Sequence, residues 1–100
     1  MSAYEQFKKL GYKRKQNNKD YIEYLLVDED YFNFGETKKD SKMEKHIVFD
    51  KARKSIDLKA LCYTFNIVQK KQVMWETSFN VNKELLNAIN EQFLEIEQNI

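Results

Sequence analysis

The segment that most constrains this chain is residues 82–100, NKELLNAINEQFLEIEQNI. Leu85, Leu86, Ile89, Phe93, Ile96 and Ile100 fall within roughly a 100° arc at 3.6 residues per turn. Asn87, Glu91, Glu95 and Gln98 take the opposite side, and Leu94 breaks the pattern. Asn80 or Asn82 is placed to cap the first turn, and Glu84 meets the favourable end of the helix dipole. A single amphipathic helix of this length is marginal on its own and needs a surface for its apolar stripe. The rest of the chain must supply that surface, unless a binding partner or a dimer seam does.

That surface reads as a sheet. Residues 21–27, YIEYLLV, carry Tyr21, Leu25 and Val27 on one face and Ile22, Tyr24 and Leu26 on the other, the pattern of a strand covered on both sides. Residues 31–36 predict a returning strand with Phe32 and Phe34 on one face, and residues 37–42, TKKDSK, a solvated loop. Residues 43–50 alternate through Met43, Ile47 and Phe49, residues 50–54 predict a hairpin turn, and residues 55–60 return with Ile56, Leu58 and Ala60 inward. Apolar parity then flips to Leu61, Tyr63, Phe65 and Ile67, which predicts a bulge or bend near residue 60. Val73, Trp75, Thr77 and Phe79 share the inward face of a last strand. Residues 12–16 are short and basic and suit an exposed edge, because charge there discourages pairing with another chain. The turn at residues 17–20, NNKD, joins them to the best strand.

The chain opens on a short helix. Ser2 with Glu5 three residues on is a capping box, Gly11 stands where a helix stop requires positive φ, and Tyr12 is placed to pack back on Phe7. The order is helix, antiparallel meander of about five to six strands, amphipathic helix, which is an α+β layer fold. The 100 residues predict one domain spanning 1–100. A content of 42% hydrophobic and 14% aromatic residues favours a packed core over disorder.

Function classes are narrowed mainly by exclusion. Cys62 is the sole cysteine, which rules out an internal disulfide and fits a reducing cytoplasm. Residues 1–10 are polar and resemble no signal peptide, and no run reaches transmembrane length, so no membrane is expected. His46 is the sole histidine, and alternation turns it away from Ile47 onto the surface. No H-x-x-x-H or C-x-x-C spacing exists to hold a metal. A Cys62–His46 couple is formally open, but Cys62 reads as a small core hydrophobe. Asp28, Glu29 and Asp30 lack the spacing and glycine of a calcium loop, and Gly11 and Gly35 build no phosphate loop. The expectation is no enzyme, no cofactor and no metal.

Charge is more informative in its distribution than in its net value of +1. Over residues 1–19, Lys8, Lys9, Lys13, Arg14, Lys15 and Lys19 face Glu5 alone, whereas residues 76–100 carry Glu76, Glu84, Glu91, Glu95 and Glu97 against Lys83. Three readings of the two ends are open: they neutralise each other across the fold, the basic segment meets phosphate or an acidic partner, or the acidic helix meets a basic surface.

FKKLGYK at residues 7–13, the tyrosine-rich strand from Tyr21, IVFDKARKSIDL at residues 47–58 and ELLNAINEQ at residues 84–92 resemble small uncharacterised proteins of phages and prophages of low-GC Gram-positive bacteria. The resemblance implies a helix stop at LGY, a packing helix at the close of the chain and a bacterial cytoplasm as the setting. It implies no functional residue. The leading expectation is a non-enzymatic protein that binds a host or phage macromolecule, with a protein as partner. The alternative is a nucleic-acid binder using Lys13, Arg14, Lys15 and Lys19, through its salt-dependent phosphate contacts. Trp75 completes the candidate contacts. If the strand at residues 73–79 is an edge, a two-fold dimer with Trp75 near its seam is expected; if it is central, a monomer. The closing helix, which starts just after Phe79 and is placed to cover this strand, inclines the expectation slightly to the monomer.

Overall fold

Helix α1 (Ala3–Lys9) is held at both ends by the residues that the sequence points to. The Glu5 amide donates to Ser2 Oγ at 3.2 Å. At the other end Gly11 adopts φ +93°, its amide donates to the Lys8 carbonyl at 3.1 Å, and the Tyr12 amide donates to the Phe7 carbonyl at 3.0 Å. These are the paired bonds of a Schellman motif, which a left-handed residue makes possible. They turn the chain so that Tyr12 meets Phe7 edge-on, with ring centroids 5.8 Å apart.

The computed structural model describes residues 1–29, 42–66 and 70–98. After α1 come β1 (Lys13–Asn17), β2 (Tyr21–Asp28), β3 (Lys42–Asp50), β4 (Ser55–Asn66), β5 (Lys71–Thr77) and α2 (Lys83–Gln98). The strands form one antiparallel sheet in the order β1-β2-β3-β4-β5. The fold is α+β: a five-stranded antiparallel sheet, a short N-terminal helix and a C-terminal amphipathic helix. No helix among the described residues is long and apolar enough to cross a membrane.

Two side chains shape the turns. Asn18 Oδ1 accepts from the amides of Asp20 and Tyr21 at 2.9 and 2.8 Å, and Asp50 Oδ1 accepts from the Arg53 amide at 3.0 Å. The two turns are joined by the Lys51 amide, which donates to the Asp20 carbonyl at 2.9 Å.

The register divides the sheet into two halves. Near these turns, β1 pairs with residues 22–25 of β2, which align with residues 46–49 of β3 and 56–59 of β4. At the far end, β5 pairs only with residues 60–66 of β4. The two outer strands therefore lie at opposite edges and opposite ends, and the molecule extends 52 Å along its longest axis.

Both helices serve the first half. Ile22, Tyr24, Ile47 and Phe49 of the sheet meet Ala3 and Phe7 of α1 and Leu85, Ala88, Ile89 and Ile96 of α2 in one core, with Ile56, Leu58, Phe79 and Phe93 packed against it. Phe7 stacks on Tyr24 with centroids 4.0 Å apart, and Phe49 stands edge-on to Phe7, Tyr24 and Phe93 at 6.1, 6.3 and 5.2 Å. Such pairs contribute about 0.5–1.5 kcal/mol each beyond their buried area.

Three expectations are corrected. The bulge is not near residue 60, because β4 pairs with β3 without a shift from Ser55 through Tyr63. The strand keeps its alternation through this point: Cys62 is buried on the helix side while Leu61 and Tyr63 take the opposite face, so the apolar residues change face and the backbone does not. The register shift lies instead in β1, between Arg14 and Gln16. In α2 the buried stripe runs through Leu85, Ala88, Ile89, Gln92 and Ile96, and Leu86 is 48% exposed. Asn82 is the cap, its Oδ1 accepting from the Leu85 amide at 2.8 Å. Finally, the closing helix does not shield β5: Phe79 leaves the strand to join the core, and Gln72, Met74, Trp75 and Glu76 remain exposed. The strand expected at residues 31–36, the loop at residues 37–41 and Ile100 lie outside the described residues; Lys42 already belongs to β3.

Candidate functional site

Strand alternation scatters the candidate basic residues. Lys13 pairs with Leu25 and Arg14 with Tyr24, so the two point to opposite faces of the sheet. The register shift at Lys15 then places it beside Lys13, and both line a groove with Gly11, Leu25, Val27 and Glu29. Arg14 and Lys19 line a different groove on the helix side. The expected basic segment is thus no continuous patch. Two of its cations join Lys51 and Lys54 from the β3–β4 turn, which the sequence places more than 30 residues away.

This second groove has a volume of 360 Å³ and is lined by Arg14, Asn17, Lys19, Ile22, Lys51, Lys54, Gln92, Glu95 and Ile96. Its walls are β1, the two turns and the C-terminal half of α2. Several of its groups are held in place. The Arg14 guanidinium lies over the Tyr4 ring at 4.4 Å, a cation–π contact. Lys51 Nζ donates to Asn17 Oδ1 at 3.1 Å and to the Asn18 carbonyl at 2.6 Å. Glu95 Oε2 accepts from the Ala3 amide at 2.7 Å. Beneath the groove, the buried Tyr24 hydroxyl donates to Gln92 Oε1 at 2.6 Å. Burial pushes the Tyr24 phenol up to about 12, against the opposing pull of nearby Arg14.

The sheet face opposite the helices carries a second polar cluster. His46 Nε2 lies 3.0 Å from Glu44 Oε1, and His46 Nδ1 lies 3.4 Å from Glu23 Oε2. Lys42 Nζ pairs with Glu44 Oε2 at 3.0 Å and lies 5.2 Å from the centre of the Tyr63 ring. Burial raises the Glu44 carboxyl, but hydrogen bonds from Lys42 and His46 outweigh it, and the pKa is lowered overall. Only the doubly protonated imidazole donates to both carboxylates. His46 is thus half-buried in a network rather than free on the surface, a placement that sequence alternation alone does not reveal. Among the described residues no group of three or more His, Cys, Asp or Glu side chains is arranged to hold a metal ion. Cys62 is buried on the helix side, its thiol pushed up by that burial, while His46 lies on the opposite face, so the two form no couple.

Trp75 stands apart from all of these. In β5 it pairs with Cys62, which pairs with Met43, in one row on the helix side at the far end of the sheet. Trp75 is 40% exposed and Met74, on the opposite face, 57%. Basic groove and Trp75 are therefore two surfaces, at opposite edges of the molecule. Compared with known protein families, curated proteins and solved structures, the chain matches none.

Proposed function

We propose that this protein is a non-enzymatic binding module, of the kind encoded by phages and prophages, that acts in a bacterial cytoplasm by holding a protein partner. The partner adds a strand along the outer edge of β5. One observation carries this reading: among the described residues β5 is the last strand of the sheet order, and its centre, Val73-Met74-Trp75, has no charged residue. An outer strand presents a row of backbone donors and acceptors, and proteins normally guard such a row with charge, bulges or cover. An extended peptide takes its affinity from that backbone row and its specificity from alternate side chains. Met74 on one face and Trp75 on the other supply those flanking contacts.

The test compares capture from bacterial lysate by the parent chain, by Met74→Lys and by Lys19→Glu. The expected result is a protein retained by the parent and by Lys19→Glu and lost with Met74→Lys, with β5 amides protected from exchange in the reconstituted complex. Capture that Met74→Lys leaves intact, or exchange protection confined to β1, refutes the reading. A β5 edge occupied by a second copy, seen as concentration-dependent sedimentation abolished by Met74→Lys, replaces the foreign partner with a two-fold dimer.

A further inference from the structure

We infer that the groove between β1, the two turns and α2 is a binding site for an oligophosphate, a ligand carrying more than one phosphate group. This does not rest on the β5 reading, since it concerns the opposite edge. Among the described residues, four cations, Arg14, Lys19, Lys51 and Lys54, line one cavity with a single carboxylate, Glu95. Among the described residues none of the four forms an ion pair with a carboxylate. Glu95 is itself engaged by the Ala3 amide. The groove therefore gathers like charges that repel one another, and a multivalent anion relieves that repulsion more fully than a monovalent one.

The chemistry of the lining favours phosphate. Arg14 offers a planar fork that matches phosphate oxygens, and its stacking on Tyr4 fixes that fork before a ligand arrives. Lys51 is anchored through two of its three ammonium hydrogens, which leaves one to donate into the groove. Asn17 and Gln92 add neutral amide groups to the lining. The cavity volume of 360 Å³ exceeds what one phosphate fills and lies in the range of small-ligand pockets. Among the described residues its lining holds no aromatic side chain on which a base would stack, so the phosphates and not a base carry recognition. The ligand is either a small oligophosphate or the backbone of a nucleic acid, which present the same chemistry.

Titration of the purified chain at low ionic strength tests this, with inorganic triphosphate and, separately, a single-stranded oligonucleotide as probes. Saturable triphosphate binding is expected, weakened about tenfold or more by Arg14→Gln and by Lys19→Glu. Lys13→Glu and Lys15→Glu, whose side chains line the other groove, should leave it within about twofold. Lys19 lies in an exposed turn, so Lys19→Glu should keep the parent's melting profile and give a clean reading even if Arg14→Gln perturbs the fold. With the oligonucleotide, Lys19→Glu should lower the salt slope by about one if a nucleic-acid backbone is the ligand. Triphosphate binding without oligonucleotide binding assigns the site to a small ligand. No triphosphate binding, or equal weakening by the Lys13 and Lys15 variants, overturns the inference in favour of diffuse surface charge.

Discussion

The two outer strands, β1 and β5, meet the same problem with different means. Among the described residues each has one side without a strand partner in the sheet order. β1, KRKQN, is exposed along its whole length, yet it is charged, it breaks register after Arg14, and it leads directly out of the Gly11 stop that ties it to the core. β5, KQVMWET, is exposed except at the half-buried Val73 and Thr77, but its centre is apolar and it lies beyond the helices. Charge and a bulge are devices that keep an edge from recruiting other chains. β1 has both, whereas β5 has a regular register and carries charge only toward its ends, at Lys71 and Glu76, and this difference fits the two proposed uses: a polar groove for an anion beside β1, another backbone along β5.

If the β1 half is the anchored one, its core should carry most of the stability. Phe7 is fully buried between Tyr12, Tyr24 and Phe49. Phe7→Ala should cost about 3–5 kcal/mol in denaturant unfolding. A loss below about 1 kcal/mol would mean that the helices and β1 are not the anchor, and the contrast between the halves would collapse. Next comes Tyr24→Phe, which strands the buried Gln92 carbonyl by removing its 2.6 Å donor and should cost about 1–3 kcal/mol.

The same tyrosines set an alkaline limit. Burial pushes both Tyr12 and Tyr24 up from an ordinary value of 10.0 to about 12. The unfolded chain therefore loses these protons first as pH rises. Stability should hold below pH 10 and fall between 10 and 12, and the fall should be shallower in Tyr24→Phe. Chemical denaturation at several alkaline pH values reads this directly. Gly11→Ala follows in size, at about 1–2 kcal/mol, because φ +93° strains any residue with a Cβ, and that atom would meet Leu26 Cδ1 at 3.3 Å. Melting temperature checks it; an unchanged value would show that the Schellman turn does not tie β1 to the core.

How much of this the sequence discloses follows the range of each signal. Local signals were legible: Ser2, Gly11, the choice of Asn80 or Asn82 and the strand periods predict the caps, the meander and the α+β class, which stand in the structure with Asn82 as the cap. The cover expected on both faces of residues 21–27 does not, because both helices pack on the Ile22 and Tyr24 face and leave Tyr21 and Val27 43% and 44% exposed. Period alone misplaced Leu86 and passed over Gln92, since it cannot report that Tyr24 offers a buried hydroxyl to a polar side chain. The groove was half legible. Arg14 and Lys19 stood out in a basic run, but alternation and the shift at Lys15 removed Lys13 and Lys15 from it, while Lys51 and Lys54 arrived from a distant turn. Register between strands decides such groupings, and register is a property of pairs that a single segment does not carry.

The smallest effect on stability should come from Met74→Lys, and it sharpens the comparison most. Met74 is 57% exposed on the open face of β5, so replacing it removes little buried surface, and unfolding free energy should change by no more than about 0.5 kcal/mol. What changes is the edge. A lysine at its centre makes β5 resemble β1, because any strand added there must bring that ammonium against the incoming chain or leave it poorly solvated. Sedimentation at two concentrations and partner capture should then both lose whatever depends on β5, while triphosphate binding at the far groove stays as in the parent. Arg14→Gln should do the reverse. If each variant disturbs only its own surface, the two edges are independent sites on one scaffold. If Met74→Lys weakens the groove, or Arg14→Gln releases the β5 partner, the edges are coupled through the sheet and the contrast drawn between them is wrong.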